Sequence, residues 1–362
     1  MTNPSNPTPA GHHSVSPVLW SSPERQQAFE AWLSPLVQTH QLQPTTLRGA
    51  SSDASFRRYL RIDQHSGTSL IVMDAPPPLE DVRPFIHVAE LIGQAGLRGP
   101  HILAQDAAQG FLLLSDLGST LMLTTLQQQK DQQASDANTA LMRQAITLLV
   151  DWQSRVDARG LPAYDDALLR RELQLFPQWC VEREYGVTWT QDEQSQWQAA
   201  CDLLVASALA QPCVAVHRDY MPRNLMVTPE GLAVLDFQDA VVGPITYDVA
   251  SLIRDAFFSW DEEQEIDFAV RYWQAARAAQ LPVDEDFGEF WRALEWMGLQ
   301  RHLKVLGIFC RLKHRDAKPH YSQDLPRFFA YAHKVADRYN SLRPLARLLE
   351  PLMGATRIEA FY

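Results

Sequence analysis

No apolar run in this 362-residue chain approaches the roughly 20 residues that a bilayer-spanning helix needs, which excludes a helical membrane protein. An excess of positive charge is also missing: 43 acidic against 32 basic side chains leave a formal charge of −11. Sequence-independent nucleic-acid binding depends on Lys and Arg neutralising phosphates, so no nucleic-acid partner is expected for the chain as a whole. The four cysteines (Cys180, Cys201, Cys213 and Cys310) form no CxxC and have no His at metal-ligand spacing, which reads as buried free thiols in a reducing compartment. The opening Met1-Thr2-Asn3-Pro4-Ser5 has neither a basic region nor an apolar stretch, so no secretory signal is read and a cytoplasmic protein is expected. Core-forming residues are not scarce, because 46% of the chain is hydrophobic and 10% aromatic, and whole-chain disorder is excluded.

Residues 1–18 are rich in Pro, Ser, Asn and Thr without periodicity and read as a leader. A helix starts at Ser22 as N-cap, with Pro23 in its first turn and Phe29, Trp32, Leu33 and Leu36 along one face. From about Leu47 to Met73 the pattern alternates as strands do, with a turn at Gln64-His65-Ser66-Gly67. A helix carrying Phe85, Val88, Ala89 and Ile92 and a short buried strand, Phe111-Leu112-Leu113-Leu114, follow. Beyond Gly118 helical periodicity dominates, near 140–156, 166–185, 192–210, 248–258, 262–280 and 286–315. Strands with one helix, then a helix-rich remainder holding one small β element, describe a two-lobed α+β protein with a cleft near Ser115–Gly118.

The segment Val214–Asp239 carries the chemistry. Val214-Ala215-Val216 delivers His217-Arg218-Asp219, and Asn224 follows five residues after Asp219. Leu225-Met226-Val227 and Leu232-Ala233-Val234-Leu235 flank Thr228-Pro229-Glu230-Gly231, a hairpin signal. A hairpin pivoting about Glu230 sets residue 224 opposite residue 236, and directly opposed residues share a face with Cβ atoms ~5 Å apart. An amide oxygen beside a carboxylate is half of a Mg²⁺ site, since Mg²⁺ fills its octahedron with water and phosphate oxygens. Asp219, one short loop away, is placed to accept a proton from an attacking hydroxyl, which together is what phosphoryl transfer requires.

His217-Arg218-Asp219-Tyr220-Met221-Pro222-Arg223-Asn224 resembles the HxDxxxxN loop of the protein-kinase-like superfamily, in its aminoglycoside-phosphotransferase branch, with Leu235-Asp236-Phe237 at the metal-binding Asp. Longer stretches are similar to the bacterial anomeric N-acetylmuramate/N-acetylglucosamine kinases: Arg48-Gly49 with Asp53–Tyr59, Leu113–Gly118, Gly243–Asp255 and Gln300–Phe309. That resemblance spans about residues 25–345. It implies a kinase-like two-lobed fold with a small antiparallel-sheet N-lobe (21–116) bearing nucleotide lid and hinge, and a mainly helical C-lobe (117–362) after a disordered leader (1–20). It further implies ATP and Mg²⁺ as cofactors, Asp219 as catalytic base, Asn224 and Asp236 as metal ligands, and phosphorylation of the C1 hydroxyl of an amino sugar in peptidoglycan recycling.

The lid position, Gly49-Ala50-Ser51-Ser52-Asp53-Ala54-Ser55, lacks GxGxxG, although small residues and hydroxyls let backbone N–H groups approach phosphate. Ser51, Ser52 and Ser55 are the nucleotide candidates there, with Ser115 and Leu117 at the hinge. Met73 stands where most kinases carry an ATP-gripping Lys, and Arg57 or Arg58 is the candidate substitute, Arg58 preferred. Asp248 opens an apolar helix and reads as its N-cap. Between Gln300 and Lys318 basic residues dominate, and Arg301, Lys304, Arg311 and Arg315 share one side of a helix. Arg301 and Lys304 are the substrate candidates, because such a face holds a carboxylate like that on the lactyl ether of N-acetylmuramate and repels a polycation. Trp152, Trp179, Trp260, Trp291 and Trp296 offer sugar-stacking surface or core. Kinase action on another alcohol, such as an aminoglycoside, and a nucleotide-binding scaffold without catalysis are the rival readings.

Overall fold

The computed structural model describes residues 18–52, 56–77, 79–132 and 135–353. It divides into two compact units, the described part of Met1–His87 with Pro100–Leu117, and Val88–Gly99 with the described part of Gly118–Tyr362.

The first unit is built on alternation. Helix α1 (Pro23–Thr39) starts where Ser22 Oγ accepts the Arg25 N–H (3.2 Å), with Pro23 in its first turn. Strands β1 (Leu42–Ser52), β2 (Arg58–Gln64), β3 (Ser69–Asp74), β4 (Ile102–Asp106) and β5 (Phe111–Ser115) form an antiparallel sheet in the order β1-β2-β3-β5-β4. Every second residue, Leu60 and Ile62, Leu70 and Val72, Phe111 and Leu113, joins Phe29 and Leu33 of α1 in one core. Strand β4, absent from the sequence reading, alternates without a continuous apolar run. Trp20 also packs on Phe29, with ring centroids 4.6 Å apart, so the expected leader is ordered by that residue, while 1–17 lie outside the described residues.

Met73 is fully buried in β3, opposite Leu112, as an apolar core residue. Ion pairs knit the sheet around it. The Asp74 carboxylate accepts from Arg25 Nε (2.9 Å) and Arg58 Nε (2.6 Å), and Asp116 accepts from Arg61 Nε (2.6 Å) and Ser69 Oγ (2.6 Å). Helix α2 (Arg83–Gln94) runs across the division of the chain.

In the second unit, α3 (Met122–Asp131), α4 (Ser135–Arg155), α5 (Asp166–Leu173) and α6 (Gln191–Leu209) precede two small hairpin-like sheets. A π-helical stretch, Phe176–Glu184, lies between α5 and α6. β6 (Cys213–Val216) pairs with β9 (Val241–Pro244), and β7 (Leu225–Thr228) with β8 (Gly231–Val234). Helices α7 (Tyr247–Ile253), α8 (Glu262–Ala278), α9 (Phe287–His314), α10 (Leu325–Arg338) and α11 (Arg343–Leu349) complete it. The 28-residue α9 is the axis of this unit, buried from Met297 to Gly307 without interruption. A Cβ on Gly307 would lie 2.4 Å from the Leu175 carbonyl carbon, so only glycine lets the π-helical stretch press against α9. Cys180, Cys201 and Cys310 are buried free thiols as expected; Cys213, at the first position of β6, is exposed instead.

Candidate active site

Strand β6 ends at the chemistry. His217 is completely buried, and its backbone N–H donates to Asp248 Oδ2 (2.7 Å) while the Arg218 N–H donates to Asp248 Oδ1 (3.0 Å). Asp248 is therefore a clamp on the loop and not the N-cap of α7, because both carboxylate oxygens point across to β6; Thr246 holds the cap position. Burial pushes the Asp248 carboxyl up to about 7, against the pull of the two N–H donors. The clamp forces Arg218 into the left-handed region (φ +74°), a strained conformation for a residue with a Cβ.

The imidazole of His217 fixes the next step. Its Nδ1 accepts from the Asp219 N–H (3.3 Å), which makes Nε2 the protonated nitrogen and the donor to the Leu235 carbonyl (3.0 Å). Burial pulls its pKa down to about 4, so the ring is neutral at physiological pH and this tautomer persists. Trp152 backs the ring at 5.2 Å between centroids, its Nε1 donating to the Ala215 carbonyl. Asp219 thus has its backbone held from both sides, and its carboxylate accepts no hydrogen bond from the described residues.

The hairpin differs by one residue from the sequence reading. Thr228 pairs with Gly231 and Leu225 with Val234 across a two-residue turn, Pro229-Glu230, so Asn224 faces Leu235 rather than Asp236. The Leu235 N–H donates to the Asn224 carbonyl (2.9 Å). Strict alternation would then turn Asn224 and Asp236 to opposite faces. Asp236 escapes by adopting φ +59°, which Asp tolerates better than most residues, and Asn224 sits on a 3₁₀ turn, Pro222–Asn224. Asn224 Nδ2 consequently donates to the Asp219 carbonyl (3.0 Å) and reaches Asp236 Oδ2 (3.4 Å), so the expected pair is together for a different reason. Gln238 Nε2 steadies Asp236 through Oδ1 (2.9 Å), a contact the sequence reading missed.

Asp219 lines a pocket together with Arg223, Tyr247, Phe257, Arg301 and Lys304. The cationic stripe expected on α9 divides here. Arg301 and Lys304 line the pocket and are buried, whereas Arg315 turns to Asp316 outside it (Nε to Oδ1, 2.8 Å). Lys304 Nζ lies 2.9 Å from Glu172 Oε1 and donates to Tyr247 Oη (3.0 Å). Arg218 Nη2 donates to the same Glu172 oxygen (2.6 Å), and Tyr164 Oη donates to the other. Burial works to raise the Glu172 pKa, but Lys304 and Arg218 outweigh it and hold the group at about 2. None of the five tryptophans considered for sugar stacking lines the pocket; Tyr247, Phe257, Phe309 and Phe328 supply its aromatic wall.

The nucleotide candidates lie in the first unit. Ser51 and Ser52 end β1, paired with Tyr59 and Arg58, and Ser55 lies outside the described residues. Arg58 spends Nε on Asp74 and Nη1 on the Leu19 carbonyl, while its Nη2 is buried without a partner among the described residues. The Ser115 N–H is already donated to the His101 carbonyl (2.9 Å), and its Oγ accepts from the His101 N–H (2.9 Å). Leu117 follows β5 outside any helix or strand.

Comparison with known proteins agrees with this geometry. The model of the phosphotransferase enzyme family matches residues 46–297. An N-acetylmuramate/N-acetylglucosamine kinase of Pseudomonas aeruginosa is 51% identical over 85% of this chain and 89% of its own length, and one of Neisseria meningitidis is 44% identical over 93% and 98%. Among solved structures, a Plasmodium vivax ethanolamine kinase (TM-score 0.58, 11% identity, 86% of this chain and 89% of that one) and an amicoumacin kinase (TM-score 0.58, 14% identity, 90% and 100%) share the fold. The chain belongs to the phosphotransferase enzyme family, among the relatives of the N-acetylmuramate/N-acetylglucosamine kinases.

Proposed function

We propose that this protein transfers the γ-phosphoryl group of ATP to the C1 hydroxyl of N-acetylmuramate and N-acetylglucosamine, in the cytoplasm, as a step of peptidoglycan recycling. The observation that carries the reading is that Asn224 bridges the Asp219 carbonyl and Asp236, while Asp219 lines a pocket with Arg301 and Lys304. Asp219 orients the sugar hydroxyl and takes its proton as the new O–P bond forms and ADP leaves, a role that suits a carboxylate accepting no hydrogen bond from the described residues.

The residues fit Mg²⁺. With Nδ2 of Asn224 donating to the Asp219 carbonyl and facing Asp236 Oδ2 (3.4 Å), the amide oxygen Oδ1 is the Asn224 atom that would serve a cation together with the Asp236 carboxylate. Two hard oxygens without a third protein ligand suit an ion that completes its shell with phosphate and water. When bound, the metal neutralises phosphate charge. Ser51, Ser52, Ser55 and Arg58 serve the phosphates in this reading, and the hinge contact to adenine falls to the main chain of Leu117, because the Ser115 N–H is already used. Arg301 and Lys304 face the acceptor.

Purified protein given ATP, Mg²⁺ and each sugar should release ADP, and NMR of the product should show phosphorus coupled to the anomeric proton. Phosphate on any other carbon, or turnover of an aminoglycoside and of neither sugar, overturns the assignment. ATP binding without ADP release under all acceptors would favour the scaffold reading.

A further inference from the structure

The cations around Asp219 are not equivalent. Lys304 is committed: Glu172 lies 2.9 Å away and Tyr247 accepts a further hydrogen bond. Arg301, only 3% exposed, is the opposite case, since its Nε and Nη1 have no hydrogen-bond partner among the described residues. A buried guanidinium donor left unmade costs free energy, so its persistence calls for a ligand. Arg223 lines the same pocket, holding its guanidinium over the Phe257 ring at 5.0 Å, with no ion pair among the described residues.

The acids nearby do not close these donors. Asp248 has both oxygens on the N–H groups of His217 and Arg218. Asp255 gives Oδ2 to the Phe257 N–H (3.1 Å), and its Oδ1, although buried and within the field of Arg223 and Arg301, accepts no hydrogen bond from either. What the pocket presents beside Asp219 is thus a pair of guanidinium groups, with Arg301 Nε and Nη1 lacking an acceptor and Arg223 lacking an ion pair among the described residues.

We infer that Arg301, assisted by Arg223, reads the carboxylate on the lactyl arm of N-acetylmuramate and makes the acidic sugar the preferred acceptor over N-acetylglucosamine. The inference rests on the kinase reading above and deepens it. A guanidinium matches a carboxylate with two parallel N–H···O bonds, and Arg301 is held by α9 on the wall that also carries Lys304. N-acetylglucosamine, without that arm, leaves the donors unfilled. Lys304 takes no part in the discrimination because its charge is already spent on Glu172.

The test compares three acceptors on the wild-type enzyme: N-acetylmuramate, N-acetylglucosamine, and the 3-O-ethyl ether of N-acetylglucosamine, which keeps the arm and loses the acid. Charge-assisted bonds at a buried site predict kcat/KM for N-acetylmuramate at least ~10-fold above the ether. Arg301→Met should lower that ratio by ~10-fold or more, and Arg301→Lys by less. Should Arg301→Met fail to fold, Arg223→Met, at a half-exposed position, should still lower the ratio ~3-fold or more. Equal turnover of N-acetylmuramate and its ether, or an unchanged ratio in the folded variants, overturns the inference, since a merely structural arginine lowers both acceptors together. Failure of the wild type to phosphorylate any of the three instead overturns the kinase reading.

Discussion

The two units differ in how some of their arginines are answered. In the sheet unit, Arg25 and Arg58 converge on Asp74 and Arg61 closes on Asp116, so these charges tie strands to one another and to α1. In the helical unit, Arg218 closes on Glu172 in the same way, yet Arg301 and Arg223 line the pocket without an ion pair among the described residues. A charge answered by an internal carboxylate holds architecture, whereas the donors left open beside the proposed base, Asp219, are where the proposed acceptor would complete the shell. The difference separates residues whose loss should cost stability from those whose loss should cost activity.

Asp219 tests the activity side hardest. Asp219→Ala should lower turnover ~100-fold to ~10,000-fold in a coupled ADP assay while binding ATP normally and melting near the wild-type temperature. Near-normal turnover would remove it from the chemistry.

Glu172 tests the other side. Glu172→Gln leaves Lys304 and Arg218 buried without their acid, and should cost ~3 kcal/mol of stability at neutral pH. Its folded-state pKa is depressed, so the stabilisation is present above the ordinary range near 4.5 and is lost as pH falls to about 2. Denaturant melts from pH 7 to 2 should therefore show the gap between variant and wild type narrowing only below pH 4.5. A gap independent of pH would mean that the network is not held by charge.

A smaller effect is expected in the sheet. Arg61→Met deprives Asp116 of a two-nitrogen partner while Ser69 still donates to it, for a loss of ~1–2 kcal/mol in stability. If that variant lost turnover as severely as Asp219→Ala at an equal fraction folded, the division between structural and functional arginines would fail.

Much of this was legible in the chain. The helical start at Ser22 and the alternation of β2 and β3 are local patterns, and local patterns survive folding. The hairpin register was not, because choosing a pivot at Glu230 or a two-residue turn at Pro229-Glu230 depends on backbone twist that composition leaves open. Asn224 and Asp236 meet only because Asp236 turns left-handed, a conformation no spacing announces. Asp248 read as a cap because a helix-opening Asp usually is one; its real partners lie at His217 and Arg218, about 30 positions earlier. Glu172 gave no signal, since its partner Lys304 stands far along the chain. Arg223 was in plain view within the loop, one position before Asn224, and its lack of an acidic partner among the described residues is a property of packing alone.

The account stands on Asn224 and Asp236 gripping one divalent ion despite a ladder that sets them on opposite faces. Electron paramagnetic resonance of Mn²⁺ titrated with ADP into the wild type and Asp236→Asn reads this directly. The account predicts that the variant holds Mn²⁺·ADP at least ~10-fold more weakly, with a smaller loss for Gln238→Ala, which removes only the side chain steadying Asp236. Equal affinity in wild type and Asp236→Asn would contradict it.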